Sequence, residues 1–341
     1  MLTQVGPRER RKERLDRGLK VRTEGIYALS SGKEALYLLA PRLTLILGLL
    51  ILPLLMPNLY WQRVICITGV FGLLSLAFDF LANYVGLICL GGALFMGVGG
   101  YITGILNSLF GMPLVATIPA ATVVGAVFST VLLSPCFPLR GIYFAIVTLM
   151  YPLAASRIIE ALDIFGGTEG MADLDTLPNI WFASYSIIPV LLVSLFALRR
   201  LVTEDIGLVL RGLKDNDQAA KASGISITRY KAYSTFIASA IGCFTGAYLV
   251  HLYGWAGISL FALDFSILPI AASVIGGMGT LVGPVLGAFI LIPLTELLRE
   301  LGTLRIVFYS LLLAGFIVFN PEGLMTYAQR KYHQFEHWVE V

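Results

Sequence analysis

The sequence predicts an all-α, polytopic integral membrane protein of about ten transmembrane helices, with both termini in the cytoplasm. Three observations carry this reading. Of 341 residues, 57% are hydrophobic and only 13% charged, where soluble proteins carry roughly 25%, and the mean hydropathy is +0.83. Apolar runs recur at about the 20 residues that cross a bilayer as a helix. Lys and Arg collect on alternate connections between those runs. One soluble core would not hide so much apolar surface, whereas a bilayer solvates the outer faces of helices. The runs are continuous, which excludes the alternating strands of a membrane barrel.

The chain opens on a basic arm, 1–42, where Arg8 to Arg22 is interleaved with Glu9, Glu13 and Asp16. It is too polar for the apolar core of a signal peptide. It also lacks the aromatic residues that stack on bases, so no nucleic acid partner is expected. A transmembrane region, 43–325, and a cytoplasmic tail, 326–341, follow. The expected spans lie near 43–60, 64–83, 90–110, 114–134, 141–162, 183–201, 231–252, 264–281, 284–299 and 305–320. With the N-terminus inside, twenty Lys and Arg fall on the cytoplasmic side and three outside, the bias that sets orientation. The outer connection 163–182 holds Asp163, Glu169, Asp173 and Asp175 and no Lys or Arg.

Glycines crowd two regions, Gly91 to Gly104 and Gly276 to Gly287. Small residues let helices approach closely in lipid, and they also mark broken helices that line a pathway. Both readings stand, and the second cluster also allows 264–299 to be a re-entrant loop instead of two crossings. Asp79 lies deep in the second span, where a carboxylate needs a partner or a water-filled path.

No catalytic constellation is present. There is no GxxxxGK[ST] loop to cradle ATP, and GGMGTLVG lacks its lysine. His251, His333 and His337 have no base or nucleophile at a telling spacing. Cys66, Cys89, Cys136 and Cys243 fit neither a zinc site nor a redox pair and read as small packing residues. The chain is therefore expected to be no enzyme and to hold no cofactor or metal.

The polar stretch 202–229, VTEDIGLVLRGLKDNDQAAKASGISITR, carries helix signals of its own. Asp215 is placed to cap a short helix with Gln218 as its partner. Asp217 and Lys221 form an i,i+4 pair, and Gly224 is a left-handed stop. The result is either a connector or a docking helix for a soluble partner.

This loop resembles the cytoplasmic coupling segment of the branched-chain amino acid ABC transporter permeases, of Liv type, whose close relatives carry urea and amides. Further stretches resemble the same family in order: PLRGIYFAIVTL (138–149), GGTEGM (166–171), SVIGGMGTLVGPVLGA (273–288) and FNPEGLM (319–325). The resemblance implies the membrane subunit of an importer in a prokaryotic inner membrane. Its implied partners are a second, homologous permease, two cytoplasmic ATPases that hydrolyse ATP, an extracytoplasmic binding protein, and membrane lipid. It implies docking of the ATPases through Arg211, Leu213, Lys214, Asp215, Asn216, Ala219, Ala220, Gly224 and Ile225. It implies a path near Asp79, Cys89, Gly92, Tyr143, Gly276, Gly277, Gly279 and Gly283. Cys89 and Gly92 stand where the family commonly has serine and histidine, and Asp79 where many members have asparagine, so a solute other than leucine, isoleucine or valine, such as urea or a short amide, stays open. A secondary transporter is the more distant alternative. It would need paired intramembrane carboxylates, and Asp79 has no acidic counterpart in the second half.

Overall fold

The computed structural model describes residues 46–56, 58–302, 304–319 and 323–327. The basic arm, residues 43–45 of the first expected span, and residues 328–341 lie outside the described residues, with His333 and His337 among them. Contacts divide the chain between Gly48 and Leu49, and the packing below concerns the second unit.

The described residues are 80% helical, with no strand among them. In chain order the helices are α1 (Ile46–Leu55), α2 (Leu59–Asp79), α3 (Gly92–Ser108), α4 (Leu114–Leu133), α5 (Ile142–Leu162) and α6 (Ile180–Thr203). Two short helices follow, α7 (Asp205–Asp215) and α8 (Asp217–Ala222). Then come α9 (Ile227–Tyr253), α10 (Asp264–Gly276), α11 (Val282–Leu297) and α12 (Leu304–Phe319). Among the described residues, six helical stretches are long and apolar enough to cross a membrane, in α2, α4, α5, α6, α9 and the segment Ile258–Gly276.

The helices begin and end close to the apolar runs, but several are short. α3 has 17 residues because 86–91 before it is not helical. α10 has 13 and α11 has 16, about 20 and 24 Å at 1.5 Å per residue. They pack side by side as a hairpin around the turn 277–281. Each is shorter than an ideal crossing.

α2 is the centre. A helix apolar on every side has to be surrounded, and 89% of its apolar stretch is buried against α6, α9, α10 and α11. By contrast, 28% of α4 and of α5 is buried; their outer faces show Val123, Val127, Phe128, Ile146 and Met150. α9 packs against α3 and α4 through small residues. A Cβ on Gly99 would run into the backbone of Cys243, and one on Gly246 into the Met96 carbonyl. The first glycine cluster thus serves close packing. All four cysteines are buried and free.

The connection 163–179 is pinned to the end of the molecule formed by the C-termini of α3 and α9. Asn107 and Asp175 exchange two hydrogen bonds, Nδ2–H to Oδ2 at 2.8 Å and Asp175 N–H to Oδ1 at 3.0 Å. Met171 and Ala256 form a backbone bridge. His251, without a role in the sequence, joins three elements here: Nε2 lies 2.7 Å from the Thr117 hydroxyl and Nδ1 2.6 Å from the Asp175 carbonyl. α5 separates this acidic end from the end that carries Arg140, α7 and α8 by about 31 Å, the length of its 21 residues.

Candidate coupling site and glycine hairpin

α7 and α8 are separated by one extended residue, Asn216 (φ −157°). Its side-chain oxygen accepts from the N–H groups of Gln218 at 3.0 Å and Ala219 at 3.1 Å. The cap therefore belongs to Asn216, one residue beyond the expected Asp215. Asp215 is the last residue of α7, and a cap needs an extended backbone that a helical residue lacks. Gly224 does stop α8, at φ +83°. Its N–H reaches the Lys221 carbonyl at 3.0 Å and that of Ile225 reaches Ala220 at 3.1 Å, a Schellman pattern.

The expected Asp217–Lys221 pair is replaced by a clamp. Asp217 Oδ2 meets Arg140 Nε at 3.3 Å and Lys231 Nζ at 3.2 Å. Lys231, buried near the start of α9, also donates to the Phe137 carbonyl at 3.2 Å. Asp217 faces the 137–140 connection while Lys221 is exposed, so the inward cations win. Ala220 is 7% exposed and spent on the chain's own packing. Ala219 is exposed and remains available for a partner.

Removing the Asp217 carboxylate strips the buried ammonium of its charged partner. Hydrogen bonds to charged groups are worth about 1.5–3 kcal/mol, and the Phe137 carbonyl remains. Asp217→Ala is expected to cost about 2 kcal/mol and to expose the α7–α8 loop to protease before the helices α2 and α9. Limited proteolysis with mass spectrometry checks this; a cleavage pattern and midpoint like wild type would show that the clamp is idle.

α7 buries Gly207, Leu210 and Leu213; it packs on the end of α6, where a Cβ on Gly207 would run into the Val202 carbonyl, and on the π-helical segment Phe80–Val85 that continues α2. Lys214 Nζ donates to the Asn83 carbonyl at 2.9 Å, and the Arg211 guanidinium lies 5.9 Å from the centre of the Tyr84 ring. Gly86 (φ +80°) sits against the backbone of Lys214, where a Cβ would approach its Cα to 3.1 Å.

The same segment grips the hairpin turn. Asp79 is wholly buried. Its Oδ1 accepts from Gly279 N–H at 2.7 Å and Asn83 Nδ2–H at 2.7 Å, and its Oδ2 from Leu281 N–H at 3.2 Å. The Tyr84 hydroxyl donates to the Gly279 carbonyl at 2.6 Å. The turn needs these anchors because Gly277, Gly279 and Leu281 all have positive φ, a conformation that costs a side-chain-bearing residue about 1–2 kcal/mol. Behind the turn, a Cβ on Gly276 would run into the Gly283 carbonyl, and one on Gly287 into the Ala272 carbonyl.

Two groups of residues that the sequence kept apart therefore meet. Asp79, Gly276, Gly277, Gly279 and Gly283 join Arg211, Leu213 and Lys214 through Asn83 and Tyr84, neither of which the sequence singled out. Cys89 and Gly92 lie further along, on the non-helical segment 86–91 and the start of α3. There the Leu90 N–H bonds the Thr148 hydroxyl at 3.0 Å and the Ala93 N–H bonds the Ser266 hydroxyl at 3.0 Å. A Cβ on Gly92 would come within 2.7 Å of the Phe265 carbonyl, so this backbone leaves no room for a side chain as large as histidine. Tyr143 is 70% exposed on α5 and is not brought to the others. Among the described residues no cluster of His, Cys, Asp or Glu is arranged to hold a metal ion.

Helices long and apolar enough to cross a membrane, a tight glycine hairpin and a basic end built of short polar helices are the features of a polytopic membrane protein, and the permease class comes from its relatives. The chain belongs to the family of permease components of branched-chain amino acid transport systems, whose profile matches residues 61–319. It is 26% identical to the high-affinity branched-chain amino acid transport system permease protein LivM of Salmonella typhimurium, over 76% of this chain and 68% of that one. It is 25% identical to the LivM protein of Escherichia coli over the same shares. A probable permease LivH of Methanocaldococcus jannaschii is 27% identical over 57% of this chain and 66% of its own. No solved structure matches.

Proposed function

We propose that the chain is the membrane-spanning permease subunit of an ABC importer for branched-chain or related amino acids in a prokaryotic inner membrane. It crosses ten times, with the α7–α8 end in the cytoplasm, and works with a second permease of the same family, two ATPases and an external binding protein. The observation that carries this reading is the family match through residues 61–319, which includes the capped α7–α8 pair on the basic end. The likeness to both LivM and LivH proteins supports pairing with a related permease. An importer has to pass ATPase motion through a stiff contact. A six-residue helix is not stable alone, but the Asn216 cap, the Gly224 stop and the Asp217 clamp hold α8 with Ala219 outward.

The test is a reconstituted complex scored for assembly, ATP hydrolysis and uptake of leucine, isoleucine and valine. Ala219→Trp is expected to assemble while lowering uptake at least about tenfold, the effect of ~1.4 kcal/mol of lost docking. Ala220→Trp should instead damage the chain itself, since that site is buried. Unchanged uptake by the Ala219→Trp complex would make α8 a mere connector. Uptake of urea or short amides in place of the three amino acids would move the solute to the alternative class.

A further inference from the structure

We propose that Tyr84 is a positioning residue of the transport cycle, linking helix α7 to the α10–α11 hairpin. The proposal rests on the permease reading and adds a route that the family resemblance does not assign. Gly279 is held at both of its backbone polar groups by one short segment: its N–H by Asp79 and its carbonyl by Tyr84. In an α-helix, residues five apart point in different directions. The π-helical segment after Asp79 widens the turn by its i→i+5 bonding and lets Asp79 and Tyr84 reach one residue, Gly279.

The cytoplasmic helix lies on the other side of the same tyrosine. Arg211 covers the ring within the range of a cation–π contact, Lys214 holds the neighbouring Asn83 carbonyl, and Gly86 lets the α7 backbone come down onto the segment. Displacement of α7 is thus passed to Tyr84 and from there to Gly279. The turn accepts it because Gly279 is exposed, and a Cβ there would find only Asn83 Cβ, at 3.8 Å. α8 follows a separate route, through Asp217 to Arg140 and Lys231. The loop therefore has two outputs, and the hairpin is moved by α7.

Tyr84→Phe removes the Gly279 bond and keeps the ring beneath Arg211. In reconstituted complexes matched for assembled protein, it is expected to hydrolyse ATP as wild type does while solute moved per ATP falls about threefold to tenfold, the equilibrium effect of losing one hydrogen bond. A structural role alone would lower the yield of complex and leave that ratio unchanged, which overturns the proposal. If Tyr84→Phe fails to assemble, Gly86→Ala, whose Cβ would press on the Lys214 backbone, loosens the link from the α7 side and is read the same way: a lowered ratio supports the link and a wild-type ratio overturns it. ATP-driven uptake by the wild-type complex is the control. Its absence would sink the permease reading, whereas uptake with an unaltered ratio in the variant sinks only the role of Tyr84.

Discussion

Asp79→Ala is expected to remove most of the folded protein from the membrane, while Asp79→Asn leaves most of it in place. The carboxylate is buried and accepts from three donors, the Gly279 and Leu281 N–H groups and the Asn83 amide. Alanine leaves all three without this acceptor, at about 1–3 kcal/mol for each one that water does not reach. Gly279 is exposed and its N–H can rehydrate. The other two are not so placed, and the strained Leu281 loses its anchor. The net cost is roughly 3 kcal/mol, a large fraction of the 5–15 kcal/mol of a typical domain. Asparagine keeps Oδ1, which takes two of the three bonds, and turns only the Leu281 contact into a donor facing a donor. Its cost should be about 1 kcal/mol. The check is the amount of monodisperse protein and its unfolding midpoint in detergent, for both variants beside wild type. Equal midpoints for Asp79→Ala and wild type would mean that the turn holds without the carboxylate.

Element positions were legible wherever composition changes sharply. Gly111 and Pro113 bound the start of α4, and Gly141 that of α5, because apolar sequence there is interrupted by residues that break helices. The family was legible from ordered blocks such as SVIGGMGTLVGPVLGA. The π-helical segment was not, since FLANYV has the same apolar character as the α-helix before it. Asp79 stood out as a buried charge, but of its three partners only Asn83 is local; the other two lie some two hundred residues downstream in the 277–281 turn, and no local period encodes that distance. The same holds for Asp217. Spacing alone favours Lys221, while folding delivers Arg140 and Lys231 from other elements. Asn216 took the cap from Asp215 for a local reason, the place where the backbone becomes extended. Tyr84 could be sought only as the aromatic residue five positions after a buried acid, a signal with no meaning until the helix is known to widen there.

Gly276→Ala and Gly287→Ala are expected to be far more damaging than Gly279→Ala, although all three residues belong to one glycine-rich motif. A Cβ on Gly276 would meet the Gly283 carbonyl and one on Gly287 the Ala272 carbonyl. Both obstacles are backbone of the paired helix, so relief requires α10 and α11 to separate. That separation would open the buried contact of Ala272, Ile275, Ala288 and Leu291 with Phe71 of α2. Overpacking a core costs about 1–3 kcal/mol when side chains can adjust. Here they cannot, and a loss of at least about 3 kcal/mol is expected for each variant. Gly279 meets no such obstacle: a Cβ would lie 3.8 Å from Asn83 Cβ, an ordinary contact. Its substitution pays only for the left-handed backbone at φ +79°, about 1–2 kcal/mol. Folded yield and unfolding midpoint of the three alanine variants should therefore rank Gly279 well above Gly276 and Gly287. The reverse order would mean that α10 and α11 do not pack backbone to backbone, and that these glycines serve an open pathway instead.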